Sequence, residues 1–223
     1  MIAIFCAIFY SPSVVAQKTS DPVNKNISKS EITAQYVIDK YLDALGGKAK
    51  LEAIKSTITE NTMTVQGMDI AMVTKKMGNK FKSSQLVMGQ SVIQVFDGEK
   101  GYVDQMGTRT DLPESAIPDL KKLRTVEALG FQADDYKDAI VEALNDHNYY
   151  VLVSDNSKLY FDMKTGLLYR TKKEMGDAII KSYLTVAGVQ FPEHIEVEGN
   201  GQKVTIKTTK VIVNSGVSDE DFK

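Results

Sequence analysis

From Ser56 onward the apolar residues recur at every second position, and turn-forming residues interrupt the pattern at short intervals. Met63 and Val65 alternate with Thr62, Thr64 and Gln66. Gly67 interrupts the run, and Met68, Ile70 and Met72 resume it. Successive side chains of an extended chain point to opposite faces, so a period of two means strands with one apolar face. Gly78-Asn79, Gly89-Gln90 and Asp97-Gly98 then separate Lys80 to Met88, Ser91 to Phe96 and Gly101 to Met106. Asp-Gly tolerates the positive φ that tight hairpins require. This part of the chain is predicted to be a meander of short antiparallel strands.

A second set of strands follows a helical interruption. Ile140 to Leu144 and Tyr149 to Val153 flank an Asn145-Asp146-His147-Asn148 turn. Leu159, Phe161 and Met163 alternate, Lys164-Thr165-Gly166 turns, and Leu167 to Tyr169 returns. Ala178 to Leu184, Glu193 to Val197 and Val204 to Val213 complete the set. Between the two sets, Asp111-Leu112-Pro113-Glu114 reads as a helix start, with Ile117, Leu120 and Leu123 on one side and Pro118 as a break. Thr125 to Lys137 reads as short helix and loop. Before the first strand, Ser28 and Glu31 have capping-box spacing, and Ile32, Ile38, Tyr41, Leu42 and Leu45 form one helical face. Gly46-Gly47 ends that helix, and Lys48 to Ile54 is a second short one. The expected class is mainly β with helices (α+β): an antiparallel sheet that buries one face beneath one or two helices.

The first 16 residues are uncharged and mostly apolar. Ser11-Pro12-Ser13 breaks the run, and Val14 and Ala16 stand at the −3 and −1 positions of a cleavage site. This reads as a signal peptide, residues 1–16, cleaved after Ala16. It is short of the ~20 residues a membrane-spanning helix needs. No Lys or Arg precedes it. Residues 17–29 are polar and aperiodic and read as a flexible arm, leaving 30–223 as one domain. The one cysteine, Cys6, lies in the leader, so the remainder carries no thiol chemistry. With 27 basic and 29 acidic residues the net charge is −2. That balance offers neither the basic field of a nucleic-acid binder nor a patch for anionic lipid head groups.

No catalytic or metal-binding pattern stands out. His147 and His194 are the only histidines, and neither has a second His or Cys at ligand spacing. Gly-x-Ser-x-Gly and His-Glu-x-x-His are both missing. Asp134-Asp135 and Asp219-Glu220-Asp221 lack the alternating oxygen ligands of a calcium loop and read as solvated surface. The chain is read as a non-enzyme with no cofactor and no metal.

Several phrases in order carry a resemblance. They are Leu45-Gly46-Gly47-Lys48 with Leu51, Ile54, Lys55 and Ser56; Val95-Phe96-Asp97-Gly98 to Gly101-Tyr102; Tyr160 to Leu168; and Gly188-Val189-Gln190-Phe191-Pro192. Over residues 30–223 the chain resembles the LolA-like superfamily of periplasmic outer-membrane lipoprotein-sorting carriers, and most of all envelope proteins of Bacteroidetes-type bacteria. In such bacteria similar domains also follow zinc peptidase domains. The resemblance implies a curved, half-open antiparallel β-barrel with helices plugging its concave face. It also implies a monomer in the periplasm that binds lipid or lipoprotein acyl chains without catalysis. The well-studied carriers hold their closed state with an arginine, and none of Arg109, Arg124 and Arg170 aligns with that role. An interaction domain with a filled core, holding an envelope membrane protein, is the alternative.

Methionine provides the sharper expectation. Met63, Met68, Met72, Met77, Met88 and Met106 crowd into the first strand set. A flexible, polarisable thioether suits a surface that accepts variable apolar ligands. The candidate cavity lining is Met63, Val65, Met68, Ile70, Met72, Phe81, Met88, Val95, Tyr102 and Met106, with Leu120 and Leu123 from the helical interruption. Pro113 to Arg124 would be a lid hinged at Pro118. The other possibility is that the same methionines fill the space beneath the helices and leave no cavity.

Overall fold

The computed structural model describes residues 32–223. The predicted signal peptide, the arm, and the Ser28 and Glu31 cap lie outside the described residues. Helix α1 (Ala34–Ala44) and helix α2 (Lys48–Ala53) come first. Six strands follow: β1 (Ser56–Val65), β2 (Met68–Met77), β3 (Lys80–Val87), β4 (Gln90–Phe96), β5 (Gly101–Gln105) and β6 (Thr108–Asp111). A connecting segment holds 3-10 turns and one short helix, α3 (Ile117–Leu120). Seven strands complete the chain: β7 (Asp138–Leu144), β8 (His147–Val153), β9 (Ser157–Asp162), β10 (Leu168–Lys173), β11 (Gly176–Val186), β12 (Val189–Gly199) and β13 (Gln202–Val213). A 3-10 turn, Asp219–Phe222, ends it.

All thirteen strands form one antiparallel sheet in the order β6-β5-β4-β3-β2-β1-β13-β12-β11-β10-β9-β8-β7. Two meanders therefore meet where the first strand pairs with the last. Val65 lies opposite Val204, and Thr57 opposite Val213. The sheet is open, with edges β6 and β7. Irregular register at Glu60/Asn61, Leu168/Arg170 and Ser182 marks bulges, which add local bend and twist.

The register defines two faces. One row of paired residues runs Ala139, Leu152, Leu159, Thr171, Ala178, Val197, Val204, Val65, Met68, from β7 to β2. The helices pack on this face. Val37, Ile38, Tyr41 and Leu42 of α1 and Leu51 of α2 are buried with Leu152, Leu159, Phe161, Leu168 and Val189 of the sheet. The Tyr41 ring lies 5.0 Å from the Phe161 ring and 5.9 Å from that of Phe131. Among the described residues, β1–β6 contribute nothing to this helix-anchored cluster.

Local chemistry explains the helix ends. Thr33 caps α1, its hydroxyl accepting from the Tyr36 amide at 3.1 Å. At the other end Gly46 has φ 128°, and a Cβ there would stand 2.4 Å from the Gly188 carbonyl oxygen. Only glycine lets the helix end press this closely on the sheet, where the Gln190 amide donates to the Leu45 carbonyl at 2.8 Å.

The helical segment expected after Asp111 is present but short and in two pieces: a 3-10 turn at Glu114–Ala116 and the four-residue α3, with Pro118 in the first turn of α3. Leu112, Glu114 and Ile117 lie beside Val95 and Tyr102, on the face opposite the helices. The segment then rounds the sheet. Thr125 accepts from the Gly78 amide at 2.8 Å and donates to the Lys55 carbonyl at 3.1 Å. Val126 and Ala128 are buried against α1 and α2. The part covering the helix-bearing face is therefore Val126 to Tyr136, downstream of the expected lid.

Candidate functional site

Strands β1–β6 continue the helix-bearing face beyond the helices, and its composition there is unusual. By register the residues on it are Thr57, Thr59, Asn61, Met63 and Val65; Met68, Ile70, Met72, Thr74 and Lys76; Phe81, Ser83, Gln85 and Val87; Gln90, Val92, Gln94 and Phe96; Val103 and Gln105; Thr108 and Thr110. Lys76 is the one charged residue among them, and it pairs with Glu127 of the connecting segment. The opposite face of the same strands carries Glu60, Asp69, Lys75, Lys80, Lys82, Asp104, Arg109 and Asp111. Strict alternation thus sorts the charges of six strands almost wholly to one side.

The charge-free surface has two textures. Toward the end where β1 finishes, called here the far end, Met63, Val65, Val197 and Val204 are buried together, flanked by Ile70, Ala178, Ile195 and Ile206. Across the middle runs a neutral polar row: Thr59, Thr74, Ser83 and Gln94. Thr74 donates to the Ser83 hydroxyl at 3.5 Å, and the Gln85 amide reaches the Met72 sulfur at 3.7 Å. Such a surface can bury a neutral chain and offer hydroxyl or amide partners. Its one ionic group, Lys76, is paired with Glu127 at the margin. Burial raises the phenols of Tyr41, Tyr136 and Tyr183, all packed in the helical cluster, above their ordinary value. Tyr41 is pushed well above its ordinary pKa by burial, with Tyr183 adding to the effect. Tyr183 donates to the Leu168 carbonyl at 2.7 Å.

Two clefts lie elsewhere. The larger, about 760 Å³, is on the opposite face and is lined by Val95, Tyr102, Arg109, Leu112 and Ile117 together with Phe222 and Lys223. Arg109 sits 4.3 Å over the Tyr102 ring, and the Tyr102 hydroxyl donates to the Lys223 carbonyl at 3.0 Å. Phe222 is buried here. Its turn is held by Lys75–Asp221 and Lys80–Asp219 ion pairs, both 2.5 Å. The acidic run lies at the surface as expected at Asp219 and Glu220, and its Asp219 and Asp221 in addition clamp the turn. The smaller cleft, about 580 Å³, lies between α1, α2 and the connecting segment, with Asp39, Glu52 and Arg124 at its polar wall. Among the described residues no group of three or more His, Cys, Asp or Glu could hold a metal. No helix among them is long and apolar enough to cross a membrane.

The predicted lining residues are divided. Met63, Val65, Met68, Ile70, Met72 and Phe81 share the helix-bearing face. Met63 and Val65 are buried there, whereas Met68 is 48% exposed at the far end. Val95 and Tyr102 point to the opposite face and line the larger cleft. Leu120 is buried in α3, and Leu123 is half-buried just after it. Met88 and Met106 occupy hairpin turns, 78% and 68% exposed, so strand alternation does not turn them inward. What the sequence reading missed was the charge sorting. It was present as alternation, since Asp69, Lys75, Lys80 and Lys82 each fall out of phase with the apolar residues.

The arginines also have places. Arg109 and Arg170 project from the face opposite the helices, and Arg124 donates to the Lys122 and Leu123 carbonyls. Arg170 pairs with Asp177 and lies 5.6 Å from the Tyr160 ring. Burial and a hydrogen bond to Glu142 push the Tyr160 phenol up to about 12.

No family model matches the sequence, and no curated protein matches it. Solved structures do. A DUF1329 family protein from Desulfovibrio piger superposes with a TM-score of 0.58 at 13% identity, covering 85% of this chain and 97% of that one. An outer membrane lipoprotein-sorting protein domain from Vibrio parahaemolyticus gives 0.55 at 12%, covering 83% and 97%. A LolA superfamily protein from Nitrosomonas europaea gives 0.54 at 13%, covering 86% and 98%. The chain has a LolA-like fold.

Proposed function

We propose that this protein binds the acyl chains of lipids or lipoproteins along the helix-bearing face of β1–β6, as a non-catalytic carrier in the bacterial envelope. The observation that carries this reading is the charge-free surface there, apolar at Met63, Val65, Ile70 and Met72, which continues past the helix-anchored cluster. The LolA-like fold supports it, since one similar structure is described as a lipoprotein-sorting domain. In this reading the sheet acts as a half-open barrel plugged by α1 and α2, and the leader of residues 1–16 directs the chain to the periplasm. Each methylene moved out of water contributes about 0.8 kcal/mol, so one long acyl chain supplies useful affinity. Entry requires Met63 and its neighbours to move apart, which unbranched thioethers permit. Native mass spectrometry of the purified protein tests the reading. A co-purifying lipid, or saturable uptake of a fluorescent fatty acid, is expected; failure of both sinks it.

A second reading rests on burial. Met63 is 5% exposed and Phe96 fully buried, and Met63, Val65 and Met72 line neither of the two clefts. A filled interior suits a non-catalytic interaction domain that holds an envelope partner. That reading predicts no lipid uptake and a stable complex in envelope pull-downs.

A further inference from the structure

The far end of the sheet differs from the near end, where β1 begins. Near-end turns are mostly polar (Gly78-Asn79, Asp97 to Lys100, Asn145-Asp146 and Lys164-Thr165-Gly166), and the exception, Ala187-Gly188, carries only a methyl group. None of the large hydrophobic residues exposed on the surface lies in them. At the far end Met88 tips the β3–β4 hairpin, Met106 tips the β5–β6 hairpin, and Met68 follows the β1–β2 turn at Gln66-Gly67. Leu86, two residues before Met88, is 57% exposed.

The backbone makes these methionines informative. Met88 has φ 51° and Met106 φ 56°, each followed by a glycine at positive φ. These are left-handed turn positions where Asn, Asp and Gly are favoured. The β12–β13 hairpin at the same end uses the favoured pair, Asn200-Gly201, with φ 51° and 72°. Methionine at Met88 and Met106 does nothing for the turn and extends an apolar side chain into solvent.

We propose that the far end of this sheet rests on the surface of a lipid bilayer, with Met68, Leu86, Met88 and Met106 immersed at the head-group boundary. The spacing favours lipid over a protein partner. Adjacent hairpin tips are two strand spacings apart, about 10 Å, with Gly and polar residues between them. A protein interface needs a contiguous, close-packed apolar core, which separated tips do not make. A fluid bilayer closes around each side chain separately. The ion pair at the rim, Arg109 with Asp104 at 3.4 Å, leaves no basic excess, so the contact does not depend on anionic lipid. Met68 belongs both to this rim and to the charge-free face, so the rim forms the mouth of that face.

The chain contains no tryptophan, so an introduced one reports alone. Met88→Trp and Met106→Trp are mixed with phosphatidylcholine vesicles, with and without added phosphatidylglycerol. The expected result is a blue-shifted emission, quenched by brominated acyl chains and similar in both compositions. Thr165→Trp, at a near-end turn, stays unshifted. Met88→Asp/Met106→Asp is expected to cut vesicle partitioning about tenfold or more while fluorescent fatty-acid uptake persists. That uptake measurement separates this contact from the acyl-binding reading, which it does not require. No shift at either far-end reporter, an equal shift at Thr165→Trp, or a response only with phosphatidylglycerol would overturn the proposal.

Discussion

Strands β7–β12 and β1–β6 present the same face of the same sheet, yet the two halves are finished differently. In the first, α1, α2 and Val126 to Tyr136 complete a second layer, and Phe161, Leu152 and Val189 are at most 1% exposed beneath it. In the second, the strands alternate just as regularly, but the layer stops. Lys76 meets Glu127 at the margin, and farther out the face carries threonine, serine, glutamine and methionine in place of a helix-facing core. A sheet's apolar side must be covered by something. Where this chain supplies helices the side chains are fixed and close-packed; where it does not, they are neutral, mixed and adaptable. That difference separates the part that holds the fold from the part suited to a ligand.

The contrast can be broken most directly from the covered side. Phe161→Ala should cost about 3–5 kcal/mol in urea unfolding, because the ring packed against Tyr41 leaves a cavity that helices cannot fill. A loss under about 1 kcal/mol would mean the helical layer is not the stabilising one. Gly46→Ala should cost about 2 kcal/mol, since its φ of 128° and the 2.4 Å approach to Gly188 both oppose a Cβ. Unchanged melting would refute the close docking of α1 on the sheet.

On the other side, Gln94→Glu adds one charge to the charge-free face without changing shape. Acyl uptake should fall about tenfold, near 1.4 kcal/mol, with unfolding free energy barely altered. Lys82→Gln, on the opposite face, should leave uptake intact; equal losses would remove the distinction between faces. The smallest effect concerns acid. The Lys75 ammonium, hydrogen-bonded to Asp221, and the Ser218 amide hold that carboxyl below its ordinary range. A lowered folded-state pKa contributes stability above the unfolded value, about 3.9, and that contribution is lost as pH falls through the folded value. The C-terminal turn should therefore loosen below about pH 4, seen as increased amide exchange at Phe222. Asp221→Asn should show the same loosening already at neutral pH and remove its acid dependence.

Much of the architecture was legible because it rests on local rules. Alternation from Ser56 and the Asp97-Gly98 and Gly166 turns placed the strands, and Gly46-Gly47 placed the end of α1. The LolA-like fold was legible from phrases spread across the chain. Less could be read of the surfaces. Val95 alternates like Met63, but each hairpin reverses the chain, and only the pairing register shows that they point to opposite faces. Leu120 and Leu123 share a periodicity that α3 is too short to sustain. Asp219 is solvated as it looks, but nothing local shows that it and Asp221 meet Lys80 and Lys75, which the fold brings from 139 and 146 residues away.

The methionines divide along the same line. Their crowding into the first strand set, and the apolar alternation around Met63 and Met72, are properties of the sequence, because neighbouring side chains in a strand must alternate. Which methionines are enclosed and which stand at turn tips was decided by the tertiary structure. Pairing of β1 with β13 buried Met63 at the centre of the sheet, and two-residue turns with positive φ lifted Met88 and Met106 out of it. Burial depends on what comes to lie opposite, and a linear pattern carries no record of that.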